Sequence, residues 1–254
     1  MNGIPILIIT EGATEREVGK VLWERGVLSQ VGIPKPPNWK SMIGSREGYE
    51  QVINALAKDN PIAPFVNDEQ CTRVLLIFDC EDSPSPSARK AKIENDLKSK
   101  DESGFWNAVS FNPVSDFDNL FEFKSDNLHL VCVISAPNVD GISNRLDFDG
   151  YIIQLLQGQA SQEIAQKLVE QSQHHNVADL LRKAKDELTE LMNRNGYPWT
   201  HSKSWLYAYI TVFQYRQSHV WFAKRIVEQA PEEELHRVFA PLTTAWTRLL
   251  TGGI

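Results

Sequence analysis

Cysteine is scarce in this chain of 254 residues, which contains only Cys71, Cys80 and Cys132. An odd count without repeated spacing excludes a framework of paired disulfides and a Cys-x-x-Cys zinc or redox motif. No secretory signal precedes these residues, so we expect a reduced, cytoplasmic setting. Cys80 falls between two acidic residues. Because side chains alternate along a strand, we interpret it as small buried filler and not as a nucleophile.

Positive charge is also in short supply. Aspartate and glutamate number 33 against 26 lysines and arginines, which gives a formal net charge of −7. A protein that binds nucleic acid by bulk charge would carry the opposite balance. A nuclease is still compatible with this composition, because bound divalent cations neutralise part of an acidic site. No apolar run approaches the roughly 20 residues of a membrane-spanning helix, so we expect no membrane association.

A phosphate-binding loop is absent as well. Gly12, Gly19 and Lys20 suggest one, but the motif G-x-x-x-x-G-K-[S/T] requires a closer pair of glycines and a hydroxyl residue after the lysine. Here six residues separate the glycines, and Val21 follows the lysine. The strand that ends at Asp79 is therefore not expected to be the Walker-B strand of a nucleotide-binding domain.

The most informative stretch runs from Pro5 to Thr10 and leads directly into Glu11 and Gly12. Its aliphatic and β-branched residues, without polar alternation, predict a strand buried on both faces. Thr14 is suited to cap the helix that follows. Ligands gather at the carboxyl ends of strands in open parallel sheets, so Glu11 lies where chemistry is expected. The alternative is that Glu11 merely favours the start of a helix.

A second apolar segment, residues 73 to 79, also ends in acids, because Asp79 is followed closely by Glu81 and Asp82. Two strands would then bring carboxylates to the same edge of one sheet. Such groups repel one another unless a cation lies between them. Carboxylate oxygens are ligands that Mg²⁺ and Mn²⁺ prefer. The sequence therefore predicts a divalent-cation site at this edge.

Together the two motifs resemble those of the Toprim fold, in which one strand ends in Glu-Gly and a later strand ends in Asp-x-Asp. The chain is most similar to small stand-alone Toprim proteins and to nucleases of the overcoming-lysogenization-defect (OLD) type. Their first motif often reads Glu-Gly-x-Thr-Glu, as residues 11 to 15 do here. The resemblance covers roughly residues 4 to 150. It departs at the second motif, where Glu81 or Asp82 must replace the second aspartate.

The resemblance implies Mg²⁺- or Mn²⁺-dependent hydrolysis of phosphodiester bonds in nucleic acid, with DNA as the expected substrate and RNA as the alternative. Glu11 would be a second-metal ligand or the general acid/base. In stand-alone relatives, an acidic helix start after the fourth strand adds further acids, and Asp147 and Asp149 resemble it; alternatively, these two residues only cap a helix. The implied metal ligands are Glu11, Asp79, Glu81, Asp82, Asp147 and Asp149. The implied catalytic residues are Glu11, Asp79, Glu81 and Lys203.

Beyond residue 160 the composition is helical and rich in aromatic residues, with a break at residues 195 to 198. Aromatics such as Trp199, Tyr207 and Trp221 lie near basic residues and could stack bases. At helical spacing, however, aromatics more often form a core. The resemblance singles out Lys203, because the relatives keep a lysine near this point. A lysine can hold a scissile phosphate as a point charge.

We therefore predict an α/β, Toprim-like domain over residues 1–157, with a mostly parallel sheet flanked by helices. An all-helical region, residues 158–254, should pack on it. In the middle of the chain, residues 105–111, 120–124 and 128–134 are predicted strands. The alternative function is a non-catalytic regulatory or phage-defence module that works with a partner ATPase, because OLD-type nucleases carry an ATPase that this chain lacks.

Overall fold

The computed structural model describes residues 5–31, 33, 37–41, 48–68, 72–139, 145–158, 160–172, 177–196, 202–213 and 216–252. Cys71, Trp199 and the end of the predicted break at residues 197–198 lie outside these ranges. None of the helices within them combines the length and the apolar character that a membrane crossing requires.

A six-stranded mixed sheet forms the centre of the described structure. Its strands are β1 (Ile6–Thr10), β2 (Asn38–Ser41), β3 (Arg73–Asp79), β4 (Asn112–Val114), β5 (Phe117–Ser125) and β6 (Leu128–Ser135). They lie in the order β2-β1-β3-β6-β5-β4. The first four strands in this order run parallel. At one edge, β5 pairs antiparallel with β6, and β4 pairs antiparallel with β5.

The described helices surround this sheet. They are α1 (Ala13–Glu24), α2 (Tyr49–Asn54), α3 (Ile62–Asp68), α4 (Pro86–Ser99), α5 (Asp149–Gln157), α6 (Ser161–Ser172), α7 (Val177–Arg182), α8 (Leu188–Arg194), α9 (Ser202–Val212), α10 (His219–Gln229), α11 (Glu232–Val238) and α12 (Ala240–Thr251). A π-helical segment, Ala55–Asp59, continues α2, and another, Lys183–Glu187, joins α7 to α8. The fold class is thus α/β, as predicted.

Two apolar cores lie on opposite faces of the sheet, which explains why β1 and β6 are buried throughout. Leu7 and Ile9 of β1 face a core that α2, α3 and α4 complete. Ile6 and Ile8 face a second core, shared with α1, α5, α10 and α12. Helices on both sides of the proposed boundary at residue 157 contribute to this second core. The position of that boundary stays a prediction.

One predicted strand is wrong. Phe105–Phe111 contains a short 3₁₀ turn, Trp106–Ala108, and pairing with β5 begins only at Asn112. The Trp106 side chain is buried, and its Nε1 donates a hydrogen bond to the Leu56 carbonyl at 2.8 Å. The apolar residues of this segment are therefore explained by packing from a loop. The predicted strands at 120–124 and 128–134 are confirmed within β5 and β6.

Strand register places the two acidic motifs side by side. β1 and β3 are parallel neighbours, with Thr10 opposite Ile77. Glu11 directly follows β1, and Asp79 is the last residue of β3. Both therefore lie at the carboxyl edge of adjacent parallel strands, as predicted.

Candidate functional site

Glu11 is held against β3 at the edge of the sheet. Its backbone N–H donates to the Ile77 carbonyl at 3.0 Å, which continues the strand pairing by one residue. Its side-chain Oε2 accepts a hydrogen bond from the backbone N–H of Asp79 at 3.1 Å. The side chain is almost fully buried, and burial raises its pKa to about 7 against the opposing effects of Arg89 and the Asp79 N–H.

Asp79 links the sheet to the start of α5. Its Oδ1 accepts a hydrogen bond from the backbone N–H of Phe148 at 2.8 Å. Burial raises the pKa of Asp79 well above its ordinary value, and the charges of Glu15, Glu11 and Asp147 raise it further. The carboxylates that follow β1, lie in α1 and precede α5 are therefore close enough to the Asp79 carboxylate to repel its charge.

Glu81 reaches the same place through an unusual backbone conformation. Its φ of 49° lies in the left-handed region, which costs a residue with a Cβ on the order of 1 kcal/mol or more. A pair of backbone hydrogen bonds with Leu146, at 2.7 and 3.2 Å, holds this conformation. The side chain is about one-third exposed. The chain therefore tolerates strain at the position that resembles the second motif aspartate.

These residues line a cleft of about 140 Å³ at the carboxyl edge of the sheet. Its acidic lining consists of Glu11, Glu15, Asp79, Glu81 and Asp149, and its basic lining includes Lys203 and His219. The cleft therefore brings together residues from β1, β3, α1, α5, α9 and α10. Such a set of opposed charges at strand ends is suited to bind an ionic ligand.

Glu15 is a site residue that the sequence analysis missed as such. It lies in the first turn of α1, one turn after Glu11, with only 3% of its surface exposed. Burial raises its pKa to about 8, and the charges of Asp149 and Glu11 contribute to the increase. The Glu-Gly-x-Thr-Glu motif contains this residue, but an acid in the first turn of a helix is also explained by the helix dipole alone.

Arg89 of α4 is the internal counter-ion of the acids. Its side chain is buried, and its Nη2 lies 3.5 Å from Glu11 Oε2 and 3.3 Å from Glu81 Oε2. The guanidinium carbon also lies 4.0 Å from the centroid of the Tyr49 ring, whose hydroxyl donates to Asp96. No local signal in the sequence distinguishes Arg89 from the other basic residues of α4.

Asp149 and Lys203 form the opposite wall of the cleft. Burial raises the pKa of Asp149 more than Lys203 and His219 lower it. Burial lowers the pKa of Lys203, but the charges of Asp149, Asp147 and Asp79 outweigh this effect and raise it. Lys203 is therefore held protonated among carboxylates. Asp147 is buried behind the wall, where burial and the charge of Asp149 raise its pKa to about 7.

Asp82 does not join the others. Its side chain is 73% exposed, and its Oδ1 lies 3.4 Å from Nε of Arg145. Of the two residues that could replace the second motif aspartate, the structure brings Glu81 to the cleft and leaves Asp82 outside it.

The fit of this site to a divalent cation rests on its donors. Among the described residues, no group of three or more His, Cys, Asp or Glu side chains is arranged to hold a metal ion. Glu11 and Asp79 each accept a hydrogen bond from a backbone amide, and Arg89 lies between Glu11 and Glu81. These carboxylates therefore already have partners within the protein. The donors are nevertheless all carboxylate oxygens, which suit Mg²⁺ or Mn²⁺. Moreover, the buried Oδ1 of Asp149 has no hydrogen-bond partner within the described part of the chain.

Replacing Glu15 by glutamine is expected to stabilise the metal-free protein at neutral and alkaline pH. Because the pKa of Glu15 is raised from 4.5 to about 8 on folding, the folded state favours its protonated form. The resulting penalty is absent below the unfolded pKa and complete once the pH has risen through the folded pKa. A shift of this size corresponds to about 5 kcal/mol. Because the neighbouring acids can take up the proton in its place, we expect roughly half of it at about pH 8.5, which is a gain of about 5–10 °C in Tm. The gain should shrink as the pH falls and vanish below about pH 4.5, the unfolded pKa.

Glu17→Gln on the same helix is the matched control for this measurement. Burial raises the pKa of Glu17, but hydrogen bonds from Lys20 and Arg16 outweigh it and lower the pKa. Its removal should therefore not stabilise the protein at any pH. Melting curves in a chelator across this pH range provide the test. An equal loss of Tm in both variants at alkaline pH would show that folding does not raise the pKa of Glu15.

Comparison with known proteins assigns no family to the chain. No model of a protein family matches it, and a search of curated proteins finds no match. Among solved structures, it is similar to a hypothetical protein, PH0156, from Pyrococcus horikoshii OT3, with a TM-score of 0.49 and 10% sequence identity. This similarity extends over 98% of this chain and 97% of the other. Similarity at this level identifies no function.

Proposed function

We propose that this protein is a Toprim-type nuclease that hydrolyses phosphodiester bonds of nucleic acid, with DNA as the expected substrate and Mg²⁺ or Mn²⁺ as cofactor. The observation that carries the proposal is the meeting of Glu11 and Asp79 at the ends of adjacent parallel strands, in one cleft with Glu81 and Lys203. A cytoplasmic location and a Toprim-like domain at residues 1–157 belong to the same proposal.

Asp79, Glu81 and Asp149 are the residues that would hold the cation, and Glu11 or Glu15 would complete the set. A bound Mg²⁺ or Mn²⁺ supplies charge stabilisation to the attacking and leaving oxygens of an in-line displacement. Asp82 is not included in this set, because its side chain points into solvent.

The remaining roles belong to the chain itself. Glu11 is buried among the other acids of the cleft, so it is suited to accept a proton from the attacking water. Lys203 is kept protonated by Asp147 and Asp149, so it can hold a non-bridging phosphate oxygen as a point charge. The phosphodiester would then lie between Lys203 on one wall and the strand-end carboxylates on the other.

Arg89 favours one alternative. A guanidinium between Glu11 and Glu81 neutralises two of the acids without a metal, which suits a non-catalytic module. In that case the protein would be a regulatory or phage-defence component, and a partner protein would supply the ATPase. Persistent metal-independent binding to such a partner, without any cleavage, would favour this alternative.

The proposal is tested by incubating supercoiled plasmid and labelled single strands with the protein in Mn²⁺, Mg²⁺, Ca²⁺ or a chelator. We expect cleavage in Mn²⁺ and Mg²⁺ only, because Ca²⁺ binds with looser geometry. Lys203→Ala should weaken substrate binding about tenfold and leave measurable turnover, since a point charge on phosphate acts mainly on affinity. Lys224→Ala, outside the cleft, is the matched control. Unchanged binding in Lys203→Ala would remove this residue from the site.

A further inference from the structure

The aromatic residues of the carboxyl-terminal helices divide into two groups. Most of them are buried, among them Trp205, Tyr209 and Trp246, and these form the core that helical spacing predicts. Tyr207 and Trp221 differ, because 50% and 48% of their surfaces are exposed. Core packing therefore explains the first group and leaves these two rings to be explained.

Tyr207 lies next to two residues of the acidic cleft. It follows Lys203 by one turn on α9, so the two side chains share a face of that helix. Its hydroxyl lies 3.3 Å from Nδ1 of His219, and the two ring centroids are 5.5 Å apart. Both Lys203 and His219 line the cleft. Tyr207 is thus braced by one cleft residue and stands one turn from another.

Trp221 offers a useful contrast on the neighbouring helix. The Nζ of Lys224 lies over its ring, 4.9 Å from the centroid, and neither residue lines the cleft. Trp221 is therefore about as exposed as Tyr207 but lies away from the cleft. Of the two exposed rings, Tyr207 is the one that adjoins the charged groups of the site.

An exposed ring beside a phosphate-binding lysine is suited to stack a nucleobase. Lys203 and Tyr207 are separated by about 6 Å along the helix axis, which is short enough for one nucleotide to place its phosphate on Lys203 and its base on Tyr207. A base in a duplex cannot do this without leaving the stack. This geometry therefore favours an unpaired base, because such a base does not have to be unpaired and unstacked from a duplex.

We propose that Tyr207, braced by His219, stacks an unpaired base next to the scissile phosphate, so that the cleft acts on single-stranded nucleic acid. This inference rests on the proposed nuclease function and adds the substrate class. Base stacking tolerates every sequence, because each base has a π-face. The site should therefore discriminate strandedness much more than sequence.

The test compares wild type, Tyr207→Ala, Tyr207→Phe and Trp221→Ala in binding a labelled single strand of about 12 nucleotides, in Ca²⁺ to prevent cleavage. Tyr207→Ala should weaken binding about 5- to 150-fold, the range for loss of one base stack. Tyr207→Phe keeps the ring but loses the hydroxyl contact to His219, so it should bind more weakly than wild type and more tightly than Tyr207→Ala. Trp221→Ala should stay within about twofold of wild type. Parallel strands of DNA and RNA show which of the two is preferred.

A strand with abasic sites at every position tests whether a base is stacked. In wild type this strand should bind as weakly as the ordinary strand binds to Tyr207→Ala, and in Tyr207→Ala the removal of all bases should have no further effect. Equal binding by wild type and Tyr207→Ala to every strand would overturn the inference, even where wild type cleaves DNA normally. A wild type that neither binds nor cleaves any strand would overturn the proposed function as well.

Discussion

Glu11→Gln is expected to lower Mn²⁺-dependent cleavage by at least about 10³-fold while the protein stays folded. Glutamine has the same shape, and its amide oxygen can still accept the hydrogen bond from the Asp79 N–H. The substitution therefore removes the charge and the proton acceptor without removing the contact that holds β1 to β3. Melting curves should show a folded variant, and single-turnover cleavage of labelled DNA measures the loss.

Asp79→Asn should cause a loss of similar size, and the double variant should be little worse than either single one, because residues that act as a unit are not additive. Asp82→Asn is the matched control, since Asp82 neighbours Glu81 in the chain but lies outside the cleft. If Glu11→Gln cleaves as well as wild type, another site is responsible and the regulatory module becomes the better hypothesis. An equally large loss in Asp82→Asn would instead move the second motif acid from Glu81 to Asp82.

Arg89→Met is expected to destabilise the metal-free protein by about 3–5 kcal/mol, because it leaves buried carboxylates without their counter-ion. Methionine keeps much of the volume of the side chain, so the effect is mainly electrostatic. The loss should be greatest above the pKa of Glu11, which is about 7, and smaller at about pH 5, where Glu11 is protonated in the folded state. Denaturant unfolding at the two pH values measures it.

Lys90→Met, at the next position of α4, is the control for Arg89. Lys90 pairs with Glu94 at 3.2 Å, and both side chains are partly buried, so its loss should cost about 1–2 kcal/mol, less than that of Arg89. Millimolar Mn²⁺ should restore part of the stability of Arg89→Met by binding the acids that Arg89 has released. Equal effects of the two substitutions would show that Arg89 does not balance the charge of this cleft.

The strand-end acids could be predicted because their signals are local. The continuous apolar segments before Glu11 and Asp79 indicate strands buried on both faces, and parallel strands bring their carboxyl ends to one edge. The same rule, applied to Phe105–Phe111, failed. Its apolar residues pack from a loop, and nothing in the segment itself distinguishes that arrangement from a strand.

Residues contributed by helices were harder to predict. Which face of α1, α4 or α10 is turned towards the cleft depends on how the helix packs on the sheet, and this involves residues distant in the chain. Glu15, Arg89 and His219 enter the site in this way. The position of Lys203 opposite Asp149 follows from the packing of α9 on α5, which the local sequence does not indicate. Lys203 could therefore be predicted only through the family resemblance.

The packing of α12 has a consequence for how the protein is made. Trp246 of this helix is buried in the core that contains Ile6 and Ile8 of β1, and its Nε1 donates to the Ser29 carbonyl. A ribosome adds roughly 5–20 residues per second. One face of the newly made sheet therefore waits many seconds for the last helix that covers it. During that interval the core that α12 completes is unfinished, and exposed apolar surface of this kind makes a nascent chain prone to aggregate.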